Sequence, residues 1–279
     1  MKQAIMIKPG YIEYRDVPVP ETGDRQIEVK LKRIGVCGSD IHVWHGKHPY
    51  TPYPVVQGHE ISAVITKLGR EVTNFKVGDA VTIQPQVVCG ECYPCTHGMY
   101  NDCESLKVMG FQTTGMASEY FVVDADKALK LPDGMSFEHG AMIEPLAVAC
   151  HAVGRFGDIT GKNVVVIGGG PIGNLVAQTA KAGGAAKVLL SEISAYRLAT
   201  AGKCGLITNN PKLIKLRDAI STAFGNDGAD VIFECIGSPY TIHEAVEIAR
   251  KGSDIIVVGV VPDLCAMNMG SSCRTMNCA

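Results

Sequence analysis

Two textures of apolar and polar positions divide the chain. Up to about residue 145 the apolar residues come in short runs, alternating in Gln26-Ile27-Glu28-Val29-Lys30-Leu31 and nearly continuous in Ala80-Val81-Thr82-Ile83, with Gly and Pro between them. A period of two interrupted by turn residues predicts an irregular, β-rich first domain over residues 1–145. Within it, Pro49-Tyr50-Thr51-Pro52-Tyr53-Pro54 is too rich in proline for regular structure and predicts a loop leading into Gly58-His59-Glu60. From about residue 146 to 270, buried runs at Asn163 to Ile167, Lys187 to Leu190, Val231 to Cys235 and Asp254 to Val258 read as strands. They alternate with helical stretches at Ile172 to Ala182, Ala195 to Lys203, Lys212 to Phe224 and Tyr240 to Lys251. Such alternation predicts βαβ units, a parallel sheet and an α/β fold class for the chain as a whole.

Length agrees with two cores, because single cores stop growing near the 279 residues present here. With 46% hydrophobic and 19% charged residues the composition is that of a compact protein. The formal charge of −2, with Lys and Arg scattered and never more than two together, offers no footprint for a nucleic acid. No apolar run approaches the length of a membrane span and no signal peptide opens the chain, so a soluble, cytoplasmic protein is expected. Eleven cysteines in such a compartment stay reduced, and their clustering points to metal rather than disulfides.

Cys89, Cys92, Cys95 and Cys103 place four thiols in one short loop with the turn residues Gly90, Pro94 and Gly98. Four thiolates suit a tetrahedral zinc ion and leave no open coordination position, so the expected role is structural. Two successive C-x-x-C steps also begin ferredoxin motifs, which makes an iron–sulfur cluster the competing reading. A second constellation precedes this loop. Cys37, Ser39, Asp40 and His42 lie within six residues, and His59 and Glu60 add a further imidazole and carboxylate. A mixed Cys, His and carboxylate set with water in the last position is what a Lewis-acid zinc requires.

Val164 to Ile167 lead directly into Gly168-Gly169-Gly170-Pro171-Ile172-Gly173, a G-x-G-x-x-G turn between a strand and a helix. Gly168 permits the tight turn, Gly170 lets a pyrophosphate approach the backbone, Pro171 and Ile172 open the helix, and Gly173 allows it to pack closely. Glu192 follows at the spacing of a carboxylate that meets a ribose 2′-hydroxyl, and it would repel a 2′-phosphate. NAD is therefore expected in preference to NADP, with Arg197 a candidate flank for the adenosine.

Together these motifs resemble the zinc-dependent medium-chain alcohol and polyol dehydrogenases. The resemblance implies a chaperonin-like (GroES-like) β-rich domain followed by a Rossmann dinucleotide-binding domain, with one catalytic and one structural zinc. It makes Cys37 and His59 zinc ligands, with Glu60 or Glu144 completing the set. Glu144-Pro145, where simpler alcohol dehydrogenases carry a cysteine, is similar to the sorbitol and threonine dehydrogenase branch. Ser39 would take the hydroxyl proton, His42 would relay it, and Asp40 would orient ligands. The implied reaction passes a hydride from a secondary alcohol, a polyol or sugar acid, to NAD and gives a ketone. The small-molecule alcohol is the expected partner, and a homodimer or homotetramer the expected assembly if the fold is complete.

Family members continue beyond the Val258-Gly259-Val260 region with a further strand and a return segment. Residues 271–279 carry no period and two further thiols, so both domains are expected to be incomplete and the tail aberrant, as a change of reading frame would make it. The alternative function on that expectation is a catalytically impaired zinc- and nucleotide-binding remnant, of low stability because a sheet edge is left open.

Overall fold

The computed structural model describes residues 1–261 and 264–267; the tail expected at 271–279 lies outside them. The chain divides into two compact units, Met1–Glu144 and the part from Pro145 onward.

The first unit opens with an antiparallel hairpin of β1 (Lys2–Lys8) and β2 (Tyr11–Asp16), followed by β3 (Gln26–Ile34), the short helix α1 (Gly38–Trp44), β4 (Ile61–Leu68) and β5 (Ala80–Ile83). The small ribbon of β6 (Gln86–Val87) and β7 (Lys107–Val108) brackets the single helical turn α2 (Tyr93–Thr96). β8 (Tyr120–Asp124), β9 (Ala128–Lys130) and helix α3 (Phe137–Ala141) complete the unit. Its main sheet is antiparallel in the order β8-β3-β4-β5-β9. The alternation in β3 sends Ile27 and Val29 into a core shared with Ile61, Ala63, Ile65, Val81, Ile83 and Met116. Residues 49–54 form no regular element, as their prolines dictate.

The second unit is built on β10 (Asn163–Ile167), β11 (Lys187–Ser191), β12 (Ile207–Asn209), β13 (Val231–Glu234) and β14 (Asp254–Val257). They form one parallel sheet in the order β12-β11-β10-β13-β14. Helices α5 (Pro171–Ala182), α6 (Ala195–Lys203), α7 (Leu216–Phe224) and α8 (Pro239–Ile248) follow successive strands, after α4 (Ile143–Phe156). Two apolar cores lie on the sheet. One gathers Val164, Val166, Val176, Ala177, Leu190 and Phe233; the other gathers Val165, Ile167, Leu189, Leu216, Ile220 and Ile232.

Four helix and strand expectations need correction. α4 and the three-residue β12 have no counterpart among the predicted elements. α7 starts at Leu216 rather than Lys212, because Asn210 draws Lys212 N–H onto its side chain and the N–H groups of Leu213 and Ile214 onto its carbonyl. That local turn competes with the helix. α8 stops at Ile248 rather than Lys251, because Ala249 is extended and Arg250 N–H donates to Ser253 Oγ, turning the chain into β14.

Candidate metal and nucleotide sites

Cys37 lies immediately before α1 and is held there by Asp40, whose Oδ2 accepts Cys37 N–H at 2.9 Å. Asp40 Oδ1 accepts Gln57 Nε2–H at 3.1 Å and stands 3.9 Å from His59 Nδ1. His59 and Glu60 lie just before β4, both buried, and His59 packs on the Phe111 ring at 4.9 Å. One ligand atom each of Cys37, His59 and Glu60 falls within 4.8 Å of the others. Room for Glu60 comes from Gly35, where an added Cβ would lie 2.2 Å from Glu60 Oε2. Glu144 stays outside this trio but feels the charges of Glu60 and Asp40. Ser39 is half-buried against the Cys37 thiol, and His42 is exposed on α1. Among the described residues no hydrogen bond joins Ser39 to His42. Gln57, Phe111 and Gly35 gave no signal in the sequence, because each acts by supporting a neighbour distant along the chain.

This cluster is electrostatically uncomfortable without a cation. Burial pushes the Cys37 thiol up to about 11, with Glu60 and Asp40 adding to the rise. Burial, then Glu60 and Asp40, pushes Glu144 up to about 7. Glu60 is raised by burial and by Asp40, and burial lowers His59. His59 Nδ1 is buried with no hydrogen-bond partner. An orphaned ring nitrogen among a thiol and several carboxyls, all penalised by one another, fits a divalent cation with mixed ligands.

In the cysteine loop, Cys103 Sγ lies 3.6 Å from Cys89 Sγ, and Cys95 Sγ lies 3.9 Å from it. All four sulfurs fall within 4.8 Å of one another. Tetrahedral bonds of about 2.3 Å to one zinc put sulfurs about 3.8 Å apart, so the cage has the size of a single ion. Sulfurs bound to different irons of a cluster would stand further apart, and a disulfide would be far shorter. Cys89 N–H donates to Cys103 Sγ and Cys92 N–H to Cys89 Sγ, each at 3.4 Å. The N–H groups of Glu91 and Cys92 draw Cys89 down to about 6, whereas burial and the neighbouring thiols push Cys95 up to about 12.

In the second unit Gly168 has φ +99°, and a Cβ on Gly173 would lie 1.9 Å from Gly168 O. Gly170, which precedes Pro171 and the first turn of α5, faces open space. A tight turn, a bare backbone and a helix N-terminus form a cradle of the kind that takes a pyrophosphate. Glu192 is buried at the end of β11. Its Oε2 accepts Gly169 N–H at 2.9 Å, and its Oε1 accepts Ile193 N–H at 2.7 Å and Ser194 N–H at 2.9 Å. Arg197 Nη1 lies 3.3 Å from Oε2. Burial alone would raise Glu192, but donors from Ser194, Gly169 and Ile193 outweigh it and hold the carboxyl below its ordinary range.

Comparison with known proteins gives these sites a context. The family description "Alcohol dehydrogenase GroES-like domain" matches residues 23–133, and "Zinc-binding dehydrogenase" matches residues 171–275. The chain is 38% identical over 242 residues to 2-dehydro-3-deoxy-L-galactonate 5-dehydrogenase of Pseudoalteromonas atlantica, covering 86% of this chain and 70% of that protein. It belongs to the zinc-dependent medium-chain alcohol and polyol dehydrogenases. D-xylulose reductase A of Aspergillus niger is 37% identical over 262 residues, covering 89% of this dehydrogenase and 72% of its relative. A zinc-binding dehydrogenase from Sinorhizobium meliloti 1021, solved bound to NADP, superposes with a TM-score of 0.92 at 32% identity, covering 99% of this dehydrogenase and 82% of that chain. The dehydrogenase is thus an oxidoreductase of the GroES-like plus Rossmann architecture whose cofactors are zinc and NAD(P). Among its described residues no helix is long and apolar enough to cross a membrane.

Proposed function

We propose that this dehydrogenase oxidises a secondary hydroxyl of a polyol or sugar acid to a ketone, with NAD as hydride acceptor. The observation that carries the reading is the trio of the half-buried Cys37 and the buried His59 and Glu60 around the unpartnered His59 Nδ1, beside the further carboxyl of Glu144. Cys37, His59 and Glu60 would hold the catalytic zinc, and Cys89, Cys92, Cys95 and Cys103 the structural one. Zinc held at the first site would supply a Lewis acid that lowers the pKa of a substrate hydroxyl, and NAD would supply the hydride acceptor. Ser39, next to Cys37, would accept the hydroxyl proton, and the exposed His42 would hand it to solvent. Asp40 ties the start of α1 to the segment leading into His59 through Cys37 N–H and Gln57. Glu144 lies close enough to Glu60 for their charges to oppose, so the two carboxyls would share the ligand role rather than fill it together.

NAD is favoured over NADP because the buried Glu192 would meet a 2′-phosphate with like charge. Nine free cysteines among the described residues suit a reducing compartment such as the cytoplasm, and assembly as a homodimer or homotetramer follows the family resemblance. The test is production of NADH and NADPH by the zinc-loaded protein across a panel of polyols and sugar acids, beside its Cys37→Ala variant. Turnover of polyols with NAD that vanishes in the variant supports the proposal. Equal turnover in the variant would remove Cys37 from it, and a uniform preference for NADP would remove the role given to Glu192.

A further inference from the structure

Glu234, the last residue of β13, has no exposed surface at all. Its strand is a neighbour of β10, while β11 and β12 lie on the other side of β10. The sheet order therefore reverses between β10 and β13, and an open parallel sheet takes its ligand in the crevice beyond the carboxyl ends of such a pair. The turns that follow the two strands touch: a Cβ on Gly168 would lie 2.6 Å from Ile236 Cγ1 and 3.4 Å from the Cys235 carbonyl carbon.

The Glu234 carboxyl group is spent on the turn after its own strand. Oε1 accepts Ile236 N–H at 2.9 Å and Gly237 N–H at 3.0 Å, and Oε2 receives Gly237 N–H at 3.1 Å. Thr241 Oγ1 donates to Oε1 at 2.8 Å. The backbone carbonyl of the same residue accepts Val258 N–H at 2.8 Å and Gly259 N–H at 3.0 Å, from the turn after β14. These two turns are in backbone contact. A Cβ on Gly259 would lie 2.2 Å from Gly237 N, and one on Gly237, at φ +79°, would lie 2.2 Å from Val260 O. A fully buried carboxyl group is costly to a core and would be better replaced there by Val or Leu, unless its bonds serve another end. Here the backbone donors to the side chain all come from the turn that floors the crevice, and the one remaining partner, Thr241, comes from α8 directly behind that turn.

We propose that Glu234 is a positioning residue for the cofactor. Its carboxyl fixes the peptide planes of the 235–237 turn against the 258–259 turn, and so sets the wall on which the nicotinamide-riboside half of NAD(P) rests. The adenosine and pyrophosphate half depends instead on the Gly168–Gly173 turn and Glu192. The inference rests on the nucleotide reading of this crevice.

The test separates the two halves of the ligand. Glu234→Gln keeps the shape but turns one acceptor oxygen into a donor amide, and because both oxygens accept Gly237 N–H, either orientation of the amide sets a donor against that N–H and removes one of its two bonds. Loss of such a bond is worth roughly tenfold in affinity. Titration of the zinc-loaded protein with NADH, followed by fluorescence, should show Kd rising about tenfold, while calorimetric Kd for ADP moves by less than about twofold. Unchanged NADH affinity in the variant overturns the inference alone. Absence of NADH and NADPH binding by the wild type overturns it together with the nucleotide reading. Should Glu234→Gln lose ADP as well, Thr241→Val decides, since it removes the hydroxyl donor, with its bonds to Ser238, and leaves the carboxyl group and its backbone donors in place. Weakened NADH with intact ADP binding supports the inference, and no change in either overturns it.

Discussion

Adding one methyl group at each of two glycines three residues apart, Gly170 and Gly173, separates packing from ligand binding in the phosphate turn. At Gly173 the new Cβ would sit 1.9 Å from Gly168 O, whereas real Cβ contacts essentially never fall below 3.0 Å. Gly173 or the Gly168 carbonyl must therefore retreat by about an ångström, and neither is free to do so. Gly173 is buried in α5 beside Val176 and Ala177, and Gly168 N–H is tied to Ser191 O at 2.8 Å. Overpacking of this kind costs about 1–3 kcal/mol, and the helix propensity gained by Ala over Gly returns up to about 1 kcal/mol. Gly173→Ala should thus destabilise the second unit by about 1–2 kcal/mol, a fall of several degrees in Tm, and shift the turn enough to weaken NADH binding by at least about tenfold. Gly170 offers the contrast. Its φ of −63° suits any residue and its Cβ would meet nothing within 4 Å. Gly170→Ala should leave Tm within about 1 °C while NADH affinity falls by about tenfold or more, because the methyl would occupy the space a pyrophosphate needs. Scanning calorimetry and fluorescence titration of both variants read the two effects separately. A Gly170→Ala protein that binds NADH like the wild type would refute the cradle, and a Gly173→Ala protein as stable as the wild type would refute the packing argument.

Further outcomes follow from the same geometry. Gly35→Ala drives a Cβ into the Glu60 carboxylate, so metal analysis should show loss of the catalytic zinc with the cysteine-held zinc retained; full zinc content would contradict the role given to Glu60. Glu192, whose folded pKa lies below its ordinary value of 4.5, adds stability that is present above about pH 4.5 and is lost as pH falls through the lower folded value. Urea unfolding from pH 6 down to pH 3 should therefore lose stability more steeply in the wild type than in Glu192→Gln, and parallel curves would count against the capping bonds.

What the sequence made legible, and what it hid, follows from the reach of each signal. β10, β5 and α6 begin and end where their apolar periods do, because their boundaries are set by local pattern. The four cysteines and the glycine turn were equally legible, since all their chemistry lies within one short segment. β12 was missed because only Asn209 of its three residues is buried, so no apolar run announces it. In the catalytic site the ligand candidates carried recognisable residue types, but their supports did not. Gly35, Gln57 and Phe111 matter because of what the fold brings to them, and Glu144 was readable as a candidate while its distance from the trio was not. Glu192 shows the same limit: spacing identified the residue but could not foresee that its oxygens are already engaged by Gly169, Ile193 and Ser194.

The cysteine cage has one more consequence, for the order in which the protein is assembled as it is made. Its ligands lie between Cys89 and Cys103, so the loop that closes around the ion is short and costs little entropy. β3, β4 and β5 precede the cage and can pair as they emerge, but the edge strands β8 and β9, at Tyr120–Asp124 and Ala128–Lys130, and the whole second sheet follow it. Zinc capture can therefore precede the completion of the first sheet and the start of the second, giving the nascent chain a local anchor between them. A chain arrested shortly after Cys103 that takes up no zinc would contradict that order.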